Sequence, residues 1–181
     1  MNAAAINTPA AVLTPSPTLR EHFPLVLALA LAAGGEAFTA SAVGLALPRI
    51  GAPFAASPDE ISWAVTLYIA GYAAALPLSA WLSDVLGQKR HLAYAISGYL
   101  LTSLGCMLSP SLVIFLVLRT LQGVAGSAFI ARAVFSYTKQ FRPPVLFKAF
   151  YILIGAFGLR ALGLPFGGYL IDHLSWRWLF V

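Results

Sequence analysis

The chain has 181 residues, of which 60% are hydrophobic and only 9% charged, with a formal net charge of +5 at pH 7. A mean hydropathy of +0.84 exceeds what a water-soluble domain of this length can hide, so the outside of the fold is expected to meet hydrocarbon. The basic residues do not interleave with aromatics as a stacking groove requires, which argues against a nucleic-acid partner, and the single cysteine, Cys106, excludes an intrachain disulfide and a thiolate metal cluster.

Residues 1–23 are rich in Ala, Pro, Thr and Ser and carry charge only at Arg20 and Glu21, the composition of a disordered tail. A cleaved signal peptide fits less well, because the apolar run from Pro24 to Pro48 is longer than the roughly 7 to 15 residues of a signal core. A hydrocarbon core of about 30 Å needs about 20 apolar residues in a helix. Runs of that kind occupy residues 24–48, 61–81, 92–108, 112–135 and 149–171, separated by short polar or breaker-rich turns. A sixth run opens at Trp176, with Trp176 and Trp178 suited to the headgroup layer. Glycines and Pro165 inside the runs suit close packing of membrane helices, and no strand-like alternation of the barrel kind is visible. The expected fold is an all-α integral membrane protein, a partial helical bundle over residues 24–181.

Arg20, Lys89, Arg90, Lys139, Arg142 and Lys148 fall in one set of alternating gaps, and Arg49 and Arg177 in the other. That asymmetry places the N-terminus in the cytoplasm of a multi-pass protein of the inner (plasma) membrane.

Three ions fall at mid-membrane depth. Glu36 is twelve residues beyond Pro24, which is about 18 Å along a helix. Arg119 is eight residues beyond Ser111, about 12 Å, and Arg160 is twelve residues beyond Lys148. An arginine at that depth costs about 2.5 to 3.5 kcal/mol on insertion scales, so each should face the protein or a water-filled cavity. Arg119, Gln122, Gly123 and Gly126 share one helix face, and Arg160 shares a face with Gly163 and Gly167. Glu36, Arg119 and Arg160 are therefore expected around a central cavity, Glu36 exchanging a proton, with Thr39 and Gln122 as further lining residues. The plainer alternative is that Glu36 is merely satisfied by an arginine and Arg119 only ties helices together.

The loop after the second run reads Pro77, Leu78, Ser79, Ala80, Trp81, Leu82, Ser83, Asp84, Val85, Leu86, Gly87, Gln88, Lys89, Arg90. It resembles the motif between spans two and three of the major facilitator superfamily, carried here by Ser83, Asp84, Gly87, Lys89 and Arg90, with Ala80 and Val85 departing from it. Arg119, Gln122, Gly123 and Gly126 are similar to that family's fourth-span motif. Gly163, Pro165, Gly167 and Gly168 look like its glycine-rich antiporter motif, although Leu164 stands where proline is expected and Pro165 comes one residue late. The residues Ala46, Leu47, Pro48, Ser62, Trp63 and the stretch from Trp176 to Phe180 resemble the fourteen-span drug:proton antiporters. Relatives of that kind often carry an Asp where Thr39 stands here, one helical turn from Glu36. The resemblance implies that Arg132 partners Asp84 in a cytoplasmic gating network.

The resemblance further implies the N-terminal portion of a proton-coupled efflux transporter, ending as its sixth span begins and not competent alone, with protons and a small amphiphilic substrate as cargo. Its partners would be the lipid bilayer and either a missing C-terminal half or another membrane chain. A half-size transporter that assembles with another chain, and a non-transporting structural or regulatory subunit, are the alternatives. His22, His91 and His173 are scattered, and neither a phosphate loop, a nucleophile elbow nor a metal-ligand spacing is present, so no enzyme activity, metal or cofactor is expected.

Overall fold

A computed structural model describes residues 19–173 and 175–180, and every element in it is helical. The helices are α1 (Leu19–Gly51), α2 (Pro58–Leu86), α3 (Gln88–Leu108), α4 (Leu112–Gln140), α5 (Val145–Phe157) and α6 (Leu159–His173), with short 3-10 turns at Ala52–Phe54 and Trp176–Phe180. Five stretches are long and apolar enough to cross a membrane: Leu19–Phe54, Pro58–Leu86, Gln88–Leu108, Leu112–Gln140 and Val145–Gly163. They correspond in order to the five apolar runs.

Their outer faces are those of a protein dissolved in lipid. Leu101, Leu108, Val113 and Tyr151 are each 68 to 71% exposed. In water, each such side chain would forgo roughly 1.5–3 kcal/mol of burial. Four of them would match the net stability of a whole domain, about 5–15 kcal/mol.

Two boundaries differ from the sequence reading. α1 starts at Leu19 rather than Pro24, so the last residues assigned to the tail are helical, while residues 1–18 lie outside those described. The early start is held by packing: Leu19 leans on the apolar core, and the His22 ring meets Phe141 edge-on with centroids 6.0 Å apart. The fifth run is two helices, not one. Gly158 interrupts it, its N–H shared between Ile154 and Gly155 carbonyls, and a Cβ there would sit 2.9 Å from the Gly155 oxygen. Pro165 lies inside α6 without ending it.

The turns are made by specific residues. Ser57 and Glu60 form a reciprocal capping box at the start of α2, Ser57 N donating to Glu60 Oε2 at 2.8 Å and Glu60 N to Ser57 Oγ at 3.3 Å. Gly87 joins α2 to α3 at φ +79°, a backbone conformation that residues with a Cβ resist. Ser111 caps α4 by accepting from Ile114 N.

Close approach of helix backbones sets the bundle. A Cβ on Gly123 would stand 2.2 Å from the Tyr68 carbonyl oxygen, and one on Gly71 would stand 2.6 Å from that of Thr120. α2 and α4 therefore cross at two glycines. α1 meets α5 and α6 the same way, with Gly34 against Ala156 and Gly163 against Phe38. Two apolar clusters fill the interior. One gathers Val26, Leu29, Ala95, Phe129, Tyr137 and Leu153; the other gathers Val43, Ile50, Ile61, Cys106, Phe115, Trp176 and Phe180. Between the two clusters α1, α3 and α4 bury the polar residues Glu36, Ser103, Arg119 and Gln122, and this layer holds the candidate site.

Candidate functional site

The polar layer is built from one or two residues of each of α1 to α4. Glu36 on α1 is 6% exposed, Arg119 on α4 is 1% exposed, and Gln122 and Ser103 are buried behind Arg119. Tyr68 on α2 donates its hydroxyl to Glu36 Oε1. The Arg119 guanidinium lies over the Tyr68 ring, 4.3 Å from its centroid, and the Phe180 ring stands 6.0 Å away on another side. Arg119 Nη1 donates to Gln122 Oε1 at 2.6 Å, and Gln122 Nε2 donates to Ser103 Oγ at 2.6 Å. The acid and the cation meet through a tyrosine, whose hydroxyl serves the carboxyl and whose π face serves the guanidinium. A desolvated cation–π contact of this kind contributes about 2 kcal/mol, comparable to a hydrogen bond to a charged group. Among the described residues Arg119 Nε is buried without a hydrogen-bond partner, leaving hydrogen-bonding capacity in the layer.

Glycine makes the arrangement possible. A Cβ at Gly126 would lie 3.1 Å from Glu36 Cγ and 3.4 Å from Tyr68 Oη. The fourth-span glycines thus let α1 and α2 press their polar side chains against α4.

Glu36, Arg119 and Arg160 line a single cavity of about 240 Å³ with Tyr68, Tyr72, Ala37, Ala40, Val65, Ile69, Ile130 and Phe157. A wider, more open hollow adjoins it and shares Ala40, Val65, Phe157 and Arg160. Arg160 is exposed, so it stands at the open side rather than among packed helices. Its inward direction is that of the hollow. The combined lining is aromatic and aliphatic with one carboxyl and two guanidinium groups, the pattern of a small-molecule site.

Two residues expected in the cavity are elsewhere. Thr39 is one turn from Glu36, but its hydroxyl donates to the Gly35 carbonyl of its own helix at 3.0 Å, the back-bonding that short hydroxyl side chains favour in helices. Gln122 shares a face with Arg119, yet it turns toward α3 and orients the guanidinium from behind.

The loop motif is also only partly assembled. Gly87 makes the turn, Lys89 and Arg90 are exposed on the first turn of α3, and Ser83 is buried. Asp84 is exposed, and Arg132 keeps Nε and Nη1 buried without a hydrogen-bond partner among the described residues. The expected Asp84–Arg132 pair is therefore not formed. Ser79 and Ser83 lie on the buried face of α2, and Asp84, one residue further, is rotated by about 100° out of it.

In the glycine-rich stretch, Gly163 packs on Phe38 and Ser41, and Gly168 approaches Leu45. These contacts make it the face by which α6 lies on α1, while the surroundings of Gly167 lie outside the described residues. Among the described residues no group of three His, Cys, Asp or Glu is placed to hold a metal ion. Tyr68 was not singled out from sequence. Its only signal is a tyrosine one turn from Tyr72 on the helix that also carries Gly71, which reads equally well as ordinary packing.

Residues 29–181 match the family model described as Major Facilitator Superfamily. Among curated proteins, the chain is 33% identical over 167 residues to the uncharacterized MFS-type transporter YvkA of Bacillus subtilis, an alignment covering 89% of this chain and 36% of that protein. It is 33% identical over 146 residues to the drug efflux pump JefA of Mycobacterium tuberculosis, covering 77% and 28% respectively. It is 31% identical over 145 residues to the colistin resistance protein EmrB of Acinetobacter baumannii, covering 77% and 27%. The chain spans between 27% and 36% of the length of these relatives. None of the three bears the name of an enzyme.

Proposed function

The chain belongs to the major facilitator superfamily, and from that premise we propose that it supplies most of the first helical bundle of a proton-coupled efflux transporter for small amphiphiles. The reading is supported by the efflux and resistance names of its relatives, and above all by one observation. Glu36, a mid-membrane acid, opens on the same cavity as Arg119 and Arg160.

In this family architecture the substrate sits between two bundles that rock about a central site. The cavity wall formed by α1, α2, α4, α5 and α6 is this chain's half of such a site, with the second bundle supplying the opposite wall. Glu36 is the proton-exchanging acid. An intramembrane carboxyl is by default a proton or ion site, and Glu36 has a hydroxyl donor, not a fixed cation, as its immediate partner. With Glu36 ionised the three charged side chains sum to +1, and with it protonated to +2. Cations are therefore disfavoured in both states, and the cargo is a neutral or anionic amphiphile. A cargo that donates a hydrogen bond to the Glu36 carboxylate competes with the proton for the same oxygen, and that competition is the chemical basis of exchange. The turn at Gly87 and the loop between α4 and α5 lie on the cytoplasmic side with the N-terminus, because Lys89, Arg90, Lys139, Arg142 and Lys148 all fall there.

The test is Glu36→Gln in the transporter that contains this segment, assayed in proteoliposomes with an imposed pH gradient. Substrate movement driven by the gradient should be lost while substrate binding persists. Retention of gradient-driven transport by this variant would remove Glu36 from the mechanism.

A further inference from the structure

Away from the cavity, the junction of α2, α3 and α4 holds polar groups that the transport reading does not use. Ser79 and Ser83 lie one turn apart on α2 and are both buried, and His91, on the first turn of α3, is 5% exposed. His91 Nε2 is 3.4 Å from Ser79 Oγ. Ala128 of α4 lines the same groove as His91 and Ser79, and Arg132 follows it by one helical turn on the same face. Ser83 Oγ, His91 Nδ1, Arg132 Nε and Arg132 Nη1 are all buried and have no hydrogen-bond partner among the described residues. The arginine nitrogens can only donate, and the serine and histidine atoms can do so. Asp84, the nearest acid in sequence, is exposed and does not engage them.

The depth of this cluster is set by helix length. α3 and α4 are joined at their far ends by the short turn between Leu108 and Leu112. His91 is seventeen residues before Leu108, and Arg132 is twenty residues after Leu112, distances of about 26 Å and about 30 Å along their helices. In a hydrocarbon core of about 30 Å both side chains arrive at the opposite headgroup layer. Exposed Lys89 and Arg90 stand on the adjoining turn. From His91 and Ser79 a groove of about 390 Å³ runs back toward the membrane centre, walled by Leu78, Tyr94, Leu121 and Val124. All four of these wall residues have at least 41% exposure, so the groove opens toward lipid.

Orphan donors with positive charge at headgroup depth, continuous with an apolar groove of acyl-chain character, fit one occupant. We propose that this junction binds an anionic phospholipid of the leaflet on the Lys89–Arg90 side, its phosphate accepting from Arg132, His91 and Ser83 and one acyl chain lying in the groove. The site is independent of Glu36 and of the transport reading.

Native mass spectrometry of the full chain in detergent tests it, with phosphatidylglycerol, phosphatidylethanolamine and inorganic phosphate offered separately. Phosphatidylglycerol should be retained about tenfold more tightly than phosphatidylethanolamine. The double variant His91→Gln, Arg132→Gln should lose that preference. Val124→Trp, a change at an exposed groove wall that leaves the core untouched, should weaken retention of the long-chain lipid while the headgroup ligands stay in place. Equal retention of the two lipids, unchanged binding in Val124→Trp, or inorganic phosphate held as tightly as phosphatidylglycerol would each overturn the proposal. These three readouts stand even if the double variant fails to fold.

Discussion

Tyr68 gives its hydroxyl to Glu36, a residue thirty-two positions earlier in the chain. The same ring carries the Arg119 guanidinium on its face, so the phenol holds the acid and the cation apart while engaging both. Any change in the carboxyl's protonation must first be felt at this hydroxyl, which can donate to a carboxylate or accept from a carboxylic acid.

Replacing Tyr68 by Phe keeps the ring under Arg119 and deletes only the hydroxyl. A hydrogen bond to a charged group contributes roughly 1.5–3 kcal/mol, so the variant should lose stability of about that size and gradient-driven efflux should fall by at least about tenfold. Tyr68→Leu removes the ring as well and should also lower stability, by up to about 2 kcal/mol from the lost cation–π contact. Transport rates of the two variants beside their melting temperatures check this. Equal transport by Tyr68→Phe and the parent would show that the hydroxyl is not in the coupling path.

The crossing of α2 and α4 predicts a sharp contrast between glycines. Gly123→Ala drives a methyl group into the Tyr68 carbonyl, which is backbone and cannot swing aside, and overpacking of this kind costs about 1–3 kcal/mol. Gly35→Ala meets nothing within 4 Å and should be neutral or stabilising by up to about 1 kcal/mol, the helix-propensity gain. Cys106 is 0% exposed and is the chain's only cysteine, so a thiol-reactive dye reports unfolding on heating. Gly123→Ala should expose the thiol at a lower temperature than the parent, and Gly35→Ala should not.

The separation of Asp84 from Arg132 is open to a double-mutant cycle. If the two side chains do not interact, Asp84→Asn and Arg132→Gln should change stability additively, within about 0.5 kcal/mol. A larger coupling, measured by the same thermal assay, would mean that the pair forms in a conformation with the loop rearranged.

What could be read from sequence followed from which physical term each feature depends on. The five spans were legible in number and order because transfer to lipid is a property of composition and length. Counting residues inward from the polar turns at 1.5 Å each puts Glu36, Arg119 and Arg160 at similar depth, and the three line one cavity. Partner choice was not legible, because it depends on helix rotation and on competing hydrogen bonds. Thr39 had the right spacing but took its own helix's carbonyl, Gln122 had the right face but turned to Ser103, and Asp84 had the right charge but lay one residue off the buried face. Nor did the sequence single out Gly158 as the break in the fifth run, since Gly155 and Gly163 nearby offered the same local freedom. The break falls at Gly158, where the chain divides its backbone bonding.

Arg160 gives the final prediction, because its exposure separates charge from packing. It lines both the Glu36 cavity and the adjoining hollow, and it stands on the exposed side of α6 while Gly163 on the same helix makes the contact with α1. Arg160→Gln should therefore leave the fold intact, with a melting temperature close to that of the parent. The cavity's charge with Glu36 ionised falls from +1 to zero. An exposed or partly solvated charge pair is worth about 1 kcal/mol at these dielectrics, so the affinity for an anionic amphiphile should drop about fivefold while that for a neutral analogue of the same shape stays unchanged. Binding of the two analogues to parent and variant, compared at low and at high salt, reads the difference directly. The drop should shrink as salt screens the cavity mouth, and a loss of equal size for both analogues would mean that Arg160 shapes the cavity rather than charging it.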